Sequence, residues 1–323
     1  MRDLQIDKAL AGTPWGEWTK TAIAGDASAR RYFRLTHSDE PSLILMDDPT
    51  LTTAPFANIS DALTRTGLSA PKIFLHEPRI GLMVIEDLGS IDFARQIEQH
   101  PNDELALYHA ANKVIIALHT LKPSLSLATI TPTVAADMID LASLHYAATE
   151  AGKGDLQAAM LRAYSELVDP EPHLALRDFH AENLIWRSQL SGIDRVGLLD
   201  FQDAVFAPAG YDLMSLLRDA RRDVSSKVAD EIMVAFCNKI GRDMSQMSAH
   251  LACVSVQRNL RILGIFARLT KRDGKVKYLS LLPRVWAHLM TDLAHPAMVD
   301  LRKVVMAELP PPNTETLQRL GTP

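Results

Sequence analysis

The chain has 323 residues, 47% apolar and 23% charged, with a formal net charge of −5. That length suits one large or two intimate domains, the composition is ordinarily globular, and the mild charge offers no footprint for nucleic acid. No apolar run approaches the roughly 18 residues of a membrane span, the polar N-terminus lacks the apolar core of a signal peptide, and Cys237 and Cys253 lack metal-ligand spacing and read as buried thiols, so a cytoplasmic protein is expected.

After a first helix, residues 20–46 read as a small sheet in which Thr19–Ile23, Tyr32–Leu35 and Leu43–Met46 are β-prone. Small residues between the first two runs give a hairpin tip. With Gly25, Ala27 and Ser28 there, backbone N–H groups can approach a phosphate, and Arg30 or Arg31 can add charge; the alternative is an exposed turn with solvated arginines. Residues 55–66 form a helix with Pro55 in its first turn and Gly67 past its end. Two further strands follow, Lys72–His76 and Gly81–Gly89, the second breaking at Glu86-Asp87-Leu88-Gly89 into a connector between a sheet-rich front and a helical rear.

From Asn102 the pattern is helical: Leu107, Ala111, Val114, Ile115 and Leu118 recur at helix spacing. Further helices are expected at 134–148 and 155–168, then at 211–222, 225–240, 246–270 and 280–293, and the tail from Leu309 reads as a loose terminus.

The stretch from Leu174 to Asp219 interrupts the helices and strings acidic and amide side chains between short apolar runs. Asp178 stands in a turn, Asn183 follows five residues on before Leu184-Ile185-Trp186, and the strand Val196–Leu199 ends on Asp200. One carboxylate to take a hydroxyl proton, with an amide and a second carboxylate to hold Mg²⁺, is the set that phosphoryl transfer from a nucleotide needs. Gln202 and Asp203 come next, and either can face a substrate or a second ion. Asp212 opens a helix, which it can cap, or it can bond the backbone of the catalytic loop. Arg258 and Arg261 share a face of an otherwise apolar helix, and a buried guanidinium there needs an internal carboxylate or a substrate acid.

The motifs RDFHAEN, LLDFQDA and YDL resemble the aminoglycoside phosphotransferase and choline kinase superfamily. GDASARRYFRL, LILMDDP, LDFQDAVFAPAGYDLMSLLRD and QRNLRILGIFARLTKRDGK are similar to bacterial anomeric kinases of N-acetylmuramate and N-acetylglucosamine, and the resemblance runs from about Gly25 to Trp286. It implies an α+β, two-lobed protein-kinase-like fold. A small antiparallel-sheet N-lobe would span residues 1–87, and a large, mainly helical C-lobe residues 88–323. It also implies a kinase using ATP and Mg²⁺ on a small-molecule hydroxyl, with no nucleic-acid or membrane partner. Asp178 is then the base and Asn183 and Asp200 the metal ligands. The segment from Gly25 through Ser28 to Arg31 covers the phosphates, Glu86 to Leu88 form the adenine hinge, and Asp203 and Arg258 are candidates for the acceptor. Two positions depart from the superfamily pattern. Leu176 stands where a His usually braces the loop, and Met46 stands where the third strand usually carries Lys or Arg, leaving Arg31 or Arg34 to supply that charge. The alternatives are an aminoglycoside, choline or homoserine kinase, or an inactive nucleotide-binding module.

Overall fold

The structure is a computed structural model that describes residues 2–23, 29–147 and 153–321; Gly25 and Ser28 lie outside the described residues. Its strands are β1 (Thr19–Ile23), β2 (Arg31–His37), β3 (Glu40–Asp47), β4 (Ile73–Glu77), β5 (Leu82–Glu86), β6 (His173–Ala175), β7 (Leu184–Trp186), β8 (Val196–Leu198) and β9 (Val205–Ala207). The first helices are α1 (Arg2–Ala11), α2 (Ala54–Arg65), α3 (Phe93–Gln99), α4 (Glu104–Thr120), α5 (Pro132–Met138) and α6 (Lys153–Leu167). Then come α7 (Tyr211–Leu217), α8 (Ser226–Lys239), α9 (Met244–Lys271), α10 (Leu282–Leu293), α11 (Val299–Glu308) and α12 (Thr314–Gly321). The fold is α+β and protein-kinase-like, and it comprises two compact units. One is Met1–Gln96 with Glu182–Asp203; the other is Ile97–Ala181 with Ala204–Pro323.

The first unit is built on an antiparallel sheet of order β1-β2-β3-β5-β4. Directly opposed residues share a face, so Arg31, Phe33 and Leu35 line up with Asp47, Leu45 and Leu43, and these with Leu82, Val84 and Glu86. Ile6 and Leu10 of α1 pack on the apolar part of that face beside Trp15 and Trp18. The opposite face carries Tyr32, Arg34, Ile44, Met46, Met83 and Ile85. The sequence reading divides the chain at Asp87. By its contacts the sheet unit runs on to Gln96 and takes in the β7–β8 hairpin, and the backbone shows why. Trp186 N–H donates to the Ile91 carbonyl at 2.8 Å and Leu198 N–H to the Ser69 carbonyl at 2.9 Å. Leu88 packs where Gly197 has no Cβ, since a Cβ there would sit 3.0 Å from the Leu88 side chain. Trp186 is held between the Arg195 guanidinium, 4.1 Å from its ring centroid, and the edge of Phe93 at 5.7 Å.

The second unit is organised around α9, a helix of 28 residues that is buried nearly all round from Leu251 to Leu260. A helix apolar on every side belongs at the centre of a helical layer. It packs on α10, α7 and the short π-helical segment Ala142–Tyr146. At Gly264 the backbones come so close that a Cβ would lie 2.2 Å from the Leu141 carbonyl carbon. Two local expectations are corrected here. The helix expected over 211–222 stops at Leu217, because Asp219 accepts the Arg221 N–H at 2.9 Å and turns the chain. The tail is folded and not loose: Thr316 and Leu320 of α12 are buried, Tyr146 donates to the Pro310 carbonyl at 2.9 Å, and Arg319 donates to the Tyr146 and Ala147 carbonyls at 2.7 and 3.1 Å.

Because the atoms opposite Gly264 are backbone, Gly264→Ala should cost about 2–3 kcal/mol or more, as core overpacking does. The measurement is the urea midpoint; an unchanged midpoint would show that the Ala142–Tyr146 segment yields freely.

Candidate active site

On the helical unit the candidate base stands at the end of a small two-stranded sheet. β6 pairs with β9, so the chain leaving Ala175 and the chain entering Val205 are fixed side by side. Beyond β6, Arg177 takes a left-handed backbone, φ 75°, and Asp178 N–H donates to the Leu176 carbonyl at 2.9 Å. A non-glycine residue in that region costs free energy and persists only where its surroundings hold it. The holder is Asp212. Its buried carboxylate accepts the Leu176 N–H at 2.6 Å and the Arg177 N–H at 2.9 Å, one on each oxygen. Asp212 therefore bonds the loop's backbone; the N-cap position of α7 belongs to Gly210. Two residues past α7, buried Asp219 accepts from the backbone of Ala181 as well as Arg221. The loop from Leu176 to Ala181 is thus gripped at both ends by carboxylates.

Burial pushes the Asp212 carboxyl up to about 6 against the pull of its two backbone donors and of Arg258. Burial likewise raises Asp219 and drives His180, in the loop itself, well below its ordinary value, so that its imidazole is neutral. Arg258 on α9 is buried, and its donors go inward, Nη2 to Ser215 Oγ at 2.6 Å and Nη1 to the Arg177 carbonyl at 3.3 Å, with the guanidinium 4.7 Å from the Tyr211 ring centroid. The sequence reading expects an anionic partner, and here the structure differs: the hydrogen bonds of Arg258 go to neutral acceptors, and the Asp212 carboxylate is reached only electrostatically.

On the sheet unit, β7 and β8 pair Leu184 with Leu198 and so bring the residues flanking them together. Leu199 N–H donates to the Asn183 carbonyl at 3.0 Å, and Asn183 Nδ2 lies 3.5 Å from Asp200 Oδ2. Asp200 is exposed and left-handed, φ 55°. Its other oxygen accepts from Gln202 Nε2 at 2.8 Å. Phe201 turns the opposite way and stacks on Phe56 of α2 with centroids 4.8 Å apart, which ties the position of Asp200 to that helix. Asp203 is exposed. An amide and a carboxylate this close, the amide able to present its oxygen by a half-turn, suit a hard divalent cation that takes its remaining ligands from phosphates and water. Among the described residues no cluster of three or more His, Cys, Asp or Glu side chains forms a metal cage.

The arginines of the front sheet are all engaged. Arg31 meets Asp47 at 2.7 Å and Asp3 at 3.1 Å, and Asp47 also accepts from Arg2. Arg30 donates to Asp48 at 3.0 Å. Burial would raise Asp48, but hydrogen bonds from Thr50, Arg30 and Thr52 outweigh it and bring the carboxyl down to about 2. Arg34 donates to Asp87 at 2.7 Å, and Ser42 Oγ donates to the same carboxylate at 2.8 Å. Glu86 binds Arg187 at 2.9 Å through its side chain, and Leu88 is buried. Sequence reasoning missed Asp219, the Arg34–Asp87 pair and the Phe56–Phe201 stack. The first two lie within motifs already singled out, whereas the stack joins residues 145 positions apart and leaves no local signal.

Residues 19–250 match the model of the phosphotransferase enzyme family, well over half of the chain. The chain belongs to that family. An N-acetylmuramate/N-acetylglucosamine kinase of Caulobacter vibrioides is 34% identical, the match covering 91% of this chain and 93% of the relative. Among solved structures, a choline/ethanolamine kinase family protein from Mesorhizobium loti superposes with TM-score 0.66 at 15% identity, over 95% of this chain and 100% of that one. An amicoumacin kinase in complex with AMP-PNP and Ca²⁺ superposes with TM-score 0.61 at 13% identity, over 94% and 96%. This phosphotransferase therefore acts on a hydroxyl acceptor, and the structural likenesses support its kinase-like fold.

The brace carries a pH signature. Asp212 titrates near 6 in the folded chain against 3.8 for an unperturbed aspartate. Below about pH 4 folded and unfolded chains both hold its proton; between about 4 and 6 only the folded chain does, so its contribution to stability falls as pH rises through that window. The shift corresponds to about 3 kcal/mol. Thermal midpoints of wild type and Asp212→Asn from pH 4 to 7 should show the variant losing less with rising pH. Parallel curves would mean that the buried carboxyl does not titrate there.

Proposed function

We propose that the chain is a cytoplasmic, ATP- and Mg²⁺-dependent kinase that phosphorylates the anomeric hydroxyl of an amino sugar, N-acetylmuramate or N-acetylglucosamine. The observation that carries the acceptor is the match, over nearly the full length of both chains, to the Caulobacter vibrioides kinase of those two sugars. The braced loop around Asp178 and the Asn183–Asp200 pair are the chemistry such a reaction needs. The two unpaired, buried cysteines suit a reducing compartment.

In this reading Asp178 accepts the proton of the C1 hydroxyl as its oxygen attacks the γ-phosphorus; the bond from that phosphorus to the β–γ bridging oxygen breaks, and ADP leaves. Asn183 and Asp200 would hold Mg²⁺, which when bound neutralises phosphate charge. Glu86 to Leu88 meet the adenine, and the segment with Gly25, Ser28 and Arg31 covers the phosphates. Of the two arginines that can replace the usual strand cation, Arg34 is the better placed. It lies on the same sheet face as Met46, whereas Arg31 lies on the other face beside Asp47. Asp203, exposed next to the metal carboxylate, is a candidate for the acceptor or for a second ion. Arg258 acts through the loop, since it bonds the carbonyl of Arg177, the residue before Asp178.

A panel of acceptors with ATP and Mg²⁺ tests the reading. Phosphate should pass to N-acetylmuramate and N-acetylglucosamine, and turnover confined to choline, homoserine or an aminoglycoside would replace it. Asp178→Asn should lower kcat by at least about a thousandfold while nucleotide affinity, read by calorimetry, stays near that of the wild type. Asp200→Ala should do the reverse in kind, abolishing the Mg²⁺-dependent part of nucleotide binding. Nucleotide binding that is as tight with EDTA as with Mg²⁺ in the wild type would remove Asp200 from the metal site.

A further inference from the structure

Two arginines stand three residues apart on one face of α9, and their situations are opposite. Arg258 is used by the protein: its donors reach Ser215 Oγ and the Arg177 carbonyl, and its plane lies by the Tyr211 ring. Arg261 is half-buried, yet it donates no hydrogen bond and forms no ion pair with any described residue. Its guanidinium lies within electrostatic reach of Tyr211, Arg177, Asp178 and Arg258, all within the helical unit. Burial lowers its pKa to about 10, which still leaves it charged at neutral pH.

A half-buried guanidinium with no partner among the described residues keeps its N–H donors for water or for a ligand that displaces it. Neither end of this stretch of α9 is free to shift. Arg258 pins it through three contacts on one side, and three residues beyond Arg261 the Gly264 backbone is lodged against Leu141 and Ala142. Arg261 is therefore held on the face of α9 that meets the loop, where Arg258 bonds the Arg177 carbonyl, within electrostatic reach of Asp178 and with none of its five N–H donors bonded to a described residue, in a fork whose geometry matches a carboxylate.

This inference rests on the reading that Asp178 is the base for an amino-sugar hydroxyl. The reacting hydroxyl must then come within hydrogen-bond reach of Asp178, so that what meets Arg261 is another part of the same acceptor. N-acetylmuramate differs from N-acetylglucosamine by one ionised group, the lactyl carboxylate on the oxygen of C3. We infer that Arg261 receives the carboxylate of an acidic acceptor and sets the preference of this kinase between the acidic and the neutral amino sugar. Arg258 is a positioning residue in this arrangement, and Arg261 the one that touches substrate.

The test is steady-state kinetics on both sugars with wild type, Arg261→Met and Arg261→Lys, together with calorimetric titration of each sugar without nucleotide. Arg261→Met should lower the ratio of kcat/KM for N-acetylmuramate to that for N-acetylglucosamine by about 10- to 100-fold, the span of a lost charge-assisted hydrogen-bond pair, chiefly through KM. Arg261→Lys, which keeps charge but loses the fork, should fall between, and the binding isotherms should move in the same order. An equal loss on both sugars would overturn the inference and place Arg261 on the transferred phosphoryl group or in the fold; an unchanged ratio would overturn it outright. If Arg261→Met does not fold, the Lys variant decides by the same ratio. A wild type that phosphorylates neither sugar would instead defeat the proposed function and this inference with it.

Discussion

The conformation of the loop that carries Asp178 depends on one buried carboxylate. Asp212 sits where water cannot solvate it and spends one oxygen on each of two successive backbone N–H groups, Leu176 and Arg177. Those N–H groups belong to a turn that could not otherwise persist, since Arg177 is left-handed. The cost of burying the charge and the cost of the strained turn thus offset each other: the turn exists because the carboxylate needs donors, and the carboxylate stays ionised near neutral pH because the turn supplies them. Arg258 completes the circuit. It faces Asp212 electrostatically while bonding the Arg177 carbonyl, so acceptor and donor of the same strained residue are both held. In such a loop Leu176, buried and apolar, can stand where the wider superfamily places a bracing His.

The sheet unit handles its charges on the opposite principle. Asp47, Asp48 and Asp87 each bind an arginine, and the first two are fully buried. With Met46 apolar and buried in the third strand, no ammonium group is available there to organise the neighbouring acids. The arginines of the hairpin approach and of β2 perform that task. Parity along β2 separates them: Arg31 serves the face packed by α1, and Arg34 the face that carries Met46. Losing a strand cation therefore does not leave that face without positive charge, although the charge there is already shared with Asp87.

Much of this was legible in the sequence, and the exceptions have a common cause. The strands, the long helices and the D-x4-N followed by a strand ending in Asp were readable because periodicity and spacing are local. By sequence Asp212 can cap a helix or brace the loop, and choosing between them requires knowing where Leu176 lies relative to α7. In the tail, prolines and short polar stretches argue locally against structure. Only the burial of Thr316 and Leu320, and the pairing of Arg319 with the end of a distant π-helical segment, make α12 a packed element. The grouping of the β7–β8 hairpin with the sheet rests on two backbone hydrogen bonds and a missing Cβ at Gly197, none of which alters the hydrophobic pattern.

Arg258 and Arg261 show how far spacing alone can go. The sequence says that two guanidinium groups share a face of a buried helix and that each needs a partner, and by that measure the two residues are equivalent. Hydrogen bonding separates them. A cation satisfied by a hydroxyl, a carbonyl and an aromatic face keeps its full charge while losing its mobility, so Arg258 can stabilise Asp212 and stiffen the loop without being neutralised. A second cation on the same face is then repelled by the first. Its favourable interactions within the described residues are with Tyr211 and with Asp178, the group proposed to take a proton. A permanent pair between Arg261 and Asp178 would depress the basicity of that carboxylate. Under the proposed roles, Arg261 serves better within reach of Asp178 than bonded to it, and an acidic group on the incoming acceptor would draw the guanidinium's donors away from the base when the base has to act.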